Sequence, residues 1–478
     1  MSEYKLNPPT VSSYTENMML KILFEHKGFS EVFRESSWRS DEIASAFGLP
    51  EELENDKNLR TVARRLLKER YKTLQKSTAL LSDLWKQAYE NLVGLAEFLQ
   101  LNPVEQELLR FAMHLRSEGP MQDLFEYLPK SDLQRTAAIM ADLLKQPKNE
   151  ILSALKKGSK LDAYGLIDRN YRLDGVQDYL VWGETLDFDE FVTQPLNEYA
   201  LLKSCTEIPQ VPSLQLDDFA HIASMKEMML TYLQQALKHH QKGVNLLIYG
   251  VPGTGKTEFA GLLAQALGIS AYNITYMDSD GDVVKAEQRL NYSRLAQTLL
   301  NGKQALLIFD EIEDVFNGSF MERSVAQKNK AWTNQLLENN NVPMIWLSNS
   351  VNSIDAAFLR RFDFVFEMPD LPLKNKSALI SQLAGGKLTA EYVQHFAKVR
   401  SLTPAILSRT IRVAKELNTS NFAETLLMMF NQTLKSQNKP KIEPLVLGKA
   451  DYNLDYVACN DNIYRISEGL KRSKKGRI

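Results

Sequence analysis

Cysteine is scarce in this chain, long apolar runs are missing, and the charges almost cancel. The two cysteines, Cys205 and Cys459, lie far apart without CxxC spacing, so they suggest neither a disulfide framework nor a zinc site, and a reducing compartment fits. No run approaches the length of a membrane span, and the opening MSEYKLNPPTVSSY lacks the charged and apolar regions of a secretion signal. A cytoplasmic location without a membrane partner is therefore expected. With 57 Lys and Arg against 59 Asp and Glu, the formal net charge of -2 gives no general attraction to nucleic acid or anionic lipid. No HExxH is present, so a fused zinc protease is not expected. What remains is ordinary for a soluble globular protein, 44% hydrophobic and 24% charged. The length prior gives about three domains.

The most informative stretch is Gly250-Val251-Pro252-Gly253-Thr254-Gly255-Lys256-Thr257, which directly follows the apolar run Leu246 to Tyr249 and precedes helix-forming Glu258 to Leu267. A glycine-rich turn between a buried strand and a helix N-terminus points backbone N–H groups inward and adds the positive end of the helix dipole, which suits phosphate. Lys256 supplies a full charge for the outer phosphates, and Thr257 a hydroxyl for a magnesium ion bridging them.

A second apolar run, Leu306 to Phe309, ends in Asp310 and Glu311. Asp310 suits the magnesium ion, and Glu311 suits the orientation and activation of the water that attacks a γ-phosphate. Asn349 follows a further apolar strand, Met344 to Ser348, so its amide is expected at the same sheet edge. Strands are expected at Asn245 to Tyr249, Ala271 to Thr275, Ala305 to Phe309, Met344 to Ser348 and Phe364 to Glu367, with helices between all but the last pair. That alternation reads as a parallel sheet that binds ligand at the carboxyl ends of its strands.

These motifs, together with Ser353-Ile-Asp355-Ala-Ala-Phe-Leu-Arg360-Arg361-Phe-Asp363, resemble the AAA+ ATPases, and within them the group that unfolds or remodels proteins; the resemblance covers about Leu214 to Gln437. It implies an α/β P-loop module with sheet order 5-1-4-3-2, a helical lid, ATP and Mg2+ as ligands, and a homo-oligomeric ring, usually a hexamer, with ATP at each interface. Gly250 to Thr257 would then form the Walker A loop, with Glu258 next to it among the nucleotide-binding residues, Asp310 and Glu311 the Walker B acids, and Asn349 sensor 1. Arg361 is the better arginine-finger candidate and Arg360 the second, while Arg409, past Leu402-Thr-Pro404, is a candidate for sensor 2. One stretch departs from the family: where remodelling members carry an aromatic pore loop, this chain has Asp278-Ser-Asp-Gly281-Asp-Val283-Val284-Lys285, which would grip polypeptide poorly.

Upstream, the chain reads as all-α, a helical region over 1–90 followed by a partly winged-helix-like one over 91–205. In the latter, Asp132 to Leu144 and Asn149 to Lys157 look like helices, and Gly158 to Ile167 like a short hairpin. Arg60, Arg64, Arg65, Lys68, Arg70 and Lys72 make a basic helical segment, more often a solvated face than a nucleic-acid contact. The nucleotide-binding subdomain is expected over 206–370, entered through the stiff segment Ile208 to Pro212, and the lid over 371–440. In 441–478, Leu454 to Ala458 and Leu470 to Ile478 echo Leu216 to Ala220 and the approach to the first P-loop strand, as if a second AAA+ module began there. The function expected is ATP hydrolysis coupled to remodelling of a protein partner held by the N-terminal half. A nucleic-acid-associated ATPase is the runner-up, and a slow nucleotide switch the third reading.

Overall fold

The computed structural model describes residues 4–35, 37–75, 83–170, 175–212, 214–277, 281–316, 324–328, 330–352, 354–419 and 421–445. The expected C-terminal repeat, residues 278–280 of the acidic loop and Ser353 lie outside them. The chain divides into two compact units, Met1–Pro369 and Asp370–Ile478.

In the first unit a small antiparallel pair, β1 (Ile167–Asp168) and β2 (Val181–Trp182), precedes the main sheet. That sheet comprises β3 (Thr206–Glu207), β4 (Asn245–Tyr249), β5 (Ser270–Ile274), β6 (Ala305–Phe309), β7 (Met344–Ser348) and β8 (Phe364–Glu367). It has 6 strands in the order β3-β5-β6-β7-β4-β8, all parallel except β3, which runs antiparallel along the β5 edge. The edge strand β3 is absent from the sequence reading because two residues carry no detectable period.

Alternation along the inner strands builds two cores. Leu246, Ile248, Leu306, Ile308, Ile345 and Leu347 enter one, and Leu247, Leu307, Phe309, Met344 and Trp346 the other. With both faces covered, these strands are nearly continuous apolar runs. The second core passes without a break into the helical half through the helix Ala286–Leu299, which buries Arg289, Leu290, Tyr292, Ser293, Leu295, Ala296 and Leu299. A helix buried all round has packing partners on both sides. Here these are the sheet and the helices Asp83–Leu99 and Glu198–Cys205.

The helical half, from Ser13–Glu25 to Glu198–Cys205, uses part of its basic segment internally. Arg70 on the helix Leu59–Leu74 makes a two-pronged pair at 2.7 and 2.8 Å with buried Glu16, and the Arg64 guanidinium lies 5.7 Å from the Phe29 ring centroid. Helices Leu133–Leu144 and Lys148–Ala154 form, but Gly158 to Leu166 is no hairpin. Ser159 accepts from the Asp162 N–H at 3.4 Å and starts the short helix Lys160–Ala163, bracketed by the glycines that suggested a turn, Gly158 (φ 82°) and Gly165 (φ 61°). The strands that do pair are β1 and β2.

This segment docks on the helix Ala286–Leu299. Lys285 Nζ pairs with Glu184 at 2.7 Å, Gln288 Nε2 donates to the Glu184 carbonyl at 2.8 Å, and the Tyr164 and Thr298 hydroxyls are 3.1 Å apart. An open cleft of about 990 Å³ lies along the junction, and Asp168 lines it. Burial first, and then the charges of Glu184, Asp162 and Glu287, push its carboxyl from 3.8 to about 6. A carboxyl raised in the folded state favours folding below its ordinary pKa, and this contribution is lost as pH rises through about 6. We therefore expect Asp168→Asn to raise the melting temperature by about 1–2 °C at pH 7.5, with the gain disappearing towards pH 4 in calorimetric scans. A loss of stability at pH 7.5 would instead mean that the carboxylate's bond to the Glu184 N–H dominates.

The described part of the second unit is helical. Leu373–Ala384, Ala390–Ala397, Pro404–Leu417 and Phe422–Ser436 enclose Ile380, Phe396, Leu407, Ile411, Leu426 and Phe430.

Candidate functional site

Adjacent parallel strands β4, β6 and β7 end side by side, so whatever follows each of them meets at one sheet edge. After β4 the backbone turns through Gly250 (φ 150°), Gly253 (82°) and Gly255 (91°) into the helix Lys256–Leu267. A Cβ on Gly250 would stand 2.7 Å from the Met368 carbonyl, so the chain passes closer there than any side chain permits. Val251 and Pro252 form an exposed crest, while buried Thr254 donates to the Val251 carbonyl at 2.9 Å and closes the turn. Glu258 lies in the first turn of the helix. The first N–H groups of that helix have no partner within it, and its dipole concentrates positive charge there.

Lys256 is 7% exposed. Its Nζ donates to the carbonyls of Gly250 at 2.8 Å and Val251 at 3.3 Å, and to Asn349 Oδ1 at 3.1 Å. Burial draws its pKa below the usual lysine value, against the opposing charges of Asp310 and Glu313. An ammonium held among neutral acceptors and short of solvent is a good partner for an incoming anion. Thr257 Oγ1 donates to Asp310 Oδ2 at 2.7 Å, which brings a hydroxyl and a carboxylate together as a small, hard, oxygen-seeking cation requires. These residues fit phosphate and Mg2+.

Glu311 is exposed and has φ 51°, in the left-handed region. Its N–H donates to Asp310 Oδ1 at 2.8 Å, and its carbonyl accepts from Arg289 Nη1 at 3.2 Å. The charge of the Glu311 carboxylate is the main reason the nearby Tyr276 phenol is held above its ordinary pKa. Glu313 accepts from the Asn349 N–H and, at 3.0 Å, from Ser348 Oγ, which fixes the turn after β7.

Arg361 and Arg360 make their contacts elsewhere in the chain. Arg361 Nε pairs with Glu338 at 2.7 Å and its Nη1 donates to the Ala357 carbonyl, while exposed Arg360 donates to the Ala356 carbonyl at 3.2 Å. Arg409 is exposed on the helix Pro404–Leu417 of the second unit.

Arg289, Tyr276 and Glu313 escaped the sequence reading. Arg289 stands among Glu287, Gln288 and Asn291, and nothing in that polar company signals burial. Glu313 was more accessible: Asp310-Glu-Ile-Glu-Asp314 crowds four acids around Ile312, which is fully buried, so some must turn towards protein donors.

The family model described as ATPase family associated with various cellular activities (AAA) matches residues 246–370. No curated protein matches the chain. Among solved structures, the chain is similar to one described as the structure of C. elegans PCH-2, at 14% identity over 44% of this chain and 70% of that one, with a TM-score of 0.34. The strand-to-loop-to-helix turn after β4 and the acids after β6 lie inside the matched span, so residues 246–370 form an AAA domain.

Proposed function

We propose that the protein hydrolyses ATP to ADP and phosphate in a Mg2+-dependent reaction, and that it does so at the interfaces of a ring of identical subunits, with a hexamer as the expected ring. The observation that carries this reading is the junction of two contacts at one strand edge, Thr257 with Asp310 and Lys256 with Asn349. Gly250 to Glu258 would cradle the phosphates, with Lys256 on the outer ones. Thr257 and Asp310 would hold the metal ion, which when bound neutralises phosphate charge. Glu311 would accept a proton from the attacking water as its oxygen bonds to the γ-phosphorus and the bond to the ADP oxygen breaks. Asn349, aligned by Glu313, would hold the γ-phosphate or that water. Arg361, with Arg360 beside it, would reach the nucleotide of the neighbouring subunit. The helical half, which shares a core with the sheet, would carry a protein partner and receive the resulting motion.

Lys256→Ala tests the cradle. Hydrogen bonds from a charged group are worth about 1.5–3 kcal/mol, so ATP should bind roughly 10- to 100-fold more weakly, as measured by titration of a fluorescent ATP analogue. Parental affinity would sink the reading.

A further inference from the structure

We infer that Arg289 is a positioning residue for ATP hydrolysis, holding the backbone that aims Glu311. The inference rests on the proposed role of Glu311 as the residue that takes the proton from water. Arg289 is fully buried, its guanidinium 4.9 Å from the Tyr276 ring centroid and 4.5 Å from that of Phe309. Burying an arginine costs free energy unless its donors are met, and replacing such a group by a well-packed apolar side chain is often harmless to stability. Here the donors are largely met by one short stretch of chain. Nη2 donates to the Asp310 carbonyl, and Nη1 to the Glu311 carbonyl at 3.2 Å and to Asp314 at 2.8 Å, while buried Nε has no hydrogen-bond partner.

That stretch is the one with an unusual backbone. A glutamate at φ 51° is held against its own preference, and such a conformation persists only where the surroundings over-determine it. Two successive carbonyls fixed by one rigid fork set both peptide planes flanking the Glu311 Cα, and with them the direction of its side chain. The fork is itself immobilised by stacking on Phe309 of β6, the strand that delivers Asp310 and Glu311. A lysine offers a single point of charge and cannot reproduce that fork.

The test measures single-turnover ATP hydrolysis and ATP affinity in Arg289→Met, Arg289→Lys, Glu311→Gln and the double variant Arg289→Met/Glu311→Gln. A catalytic group misplaced by about 1 Å costs up to about 10²-fold, so we expect Arg289→Met to lose about 10- to 100-fold in rate and Arg289→Lys an intermediate amount, with ATP affinity within about threefold of parent. Because Arg289 acts through Glu311, its removal should cost nothing further once Glu311 is glutamine. If Glu311→Gln is slow but either folded Arg289 variant retains the parental rate, or the two losses multiply in the double variant, the inference is overturned and the Glu311 assignment survives. A parental rate in Glu311→Gln overturns both. Retained ATP affinity certifies folding, and should Arg289→Met fail that check, Arg289→Lys decides alone.

Discussion

Glu311→Gln should bind ATP as the parent does and hydrolyse it about 10²- to 10⁴-fold more slowly, the range that one positioned general base typically supplies. Glutamine keeps the volume and leaves the backbone untouched, so Asp310 still receives the Glu311 N–H and Arg289 still holds both carbonyls. What it loses is the ability to take a proton. The binding half of the expectation follows from geometry, because Lys256 and Thr257 make their contacts with Gly250, Asn349 and Asp310 and not with Glu311. Rapid-quench phosphate release at saturating ATP measures the rate. Unimpaired release would remove Glu311 from the chemistry, and a collapse of ATP affinity would make it a binding residue instead.

Arg361→Ala is expected to fold normally, to bind ATP nearly normally, and to lose most turnover, as arginine fingers contribute about 10³- to 10⁵-fold in rate. The pair that Arg361 makes with Glu338 joins side chains 28% and 53% exposed. Such a pair is worth about 0–1 kcal/mol, far too little for its loss to unfold the subunit. The same modest figure means that an incoming γ-phosphate can draw the guanidinium away from Glu338. Because the proposed action is in trans, mixing Arg361→Ala subunits with Glu311→Gln subunits should restore hydrolysis at interfaces that combine an intact Arg361 with an intact Glu311. Arg360→Ala, measured alongside, should cost less. No recovery in oligomers shown to be mixed would count against a finger from the neighbour, and a larger loss from Arg360→Ala would reverse the order of the two arginines.

The parts of the fold legible in the sequence were those whose signal is local. Leu246 to Tyr249, Ala305 to Phe309 and Met344 to Ser348 are buried on both faces, so each is a compact apolar run with sharp ends. Glycines at positive φ and a Lys-Thr pair mark the cradle because no other residues serve there equally well. What stayed hidden depends on distant chain. Ser159 to Ala163 turned to helix because a serine cap outweighed two glycines that had suggested a hairpin. The separate regions expected on either side of residue 205 share one core, since Cys205, Leu202 and Leu201 bury against the same cluster as Leu295 and Trp346. Arg289 is invisible in sequence for a related reason. An arginine becomes a buried clamp only when two aromatic rings and two carbonyls from other segments close around it.

The helix Ala286–Leu299 touches the helical half on one side and carries Arg289 to Asp310 and Glu311 on the other. Close-packed interiors transmit displacement and do not absorb it. A ligand that fixes the surface around Tyr164, Glu184 and Glu198 in one position therefore acts on the peptide planes flanking Glu311 across a single rigid element. The traffic runs both ways. By thermodynamic linkage, whatever factor such a ligand applies to nucleotide affinity, the nucleotide returns to the ligand in equal measure, so an effector could be recognised by its altered grip in ATP and ADP before its identity is known.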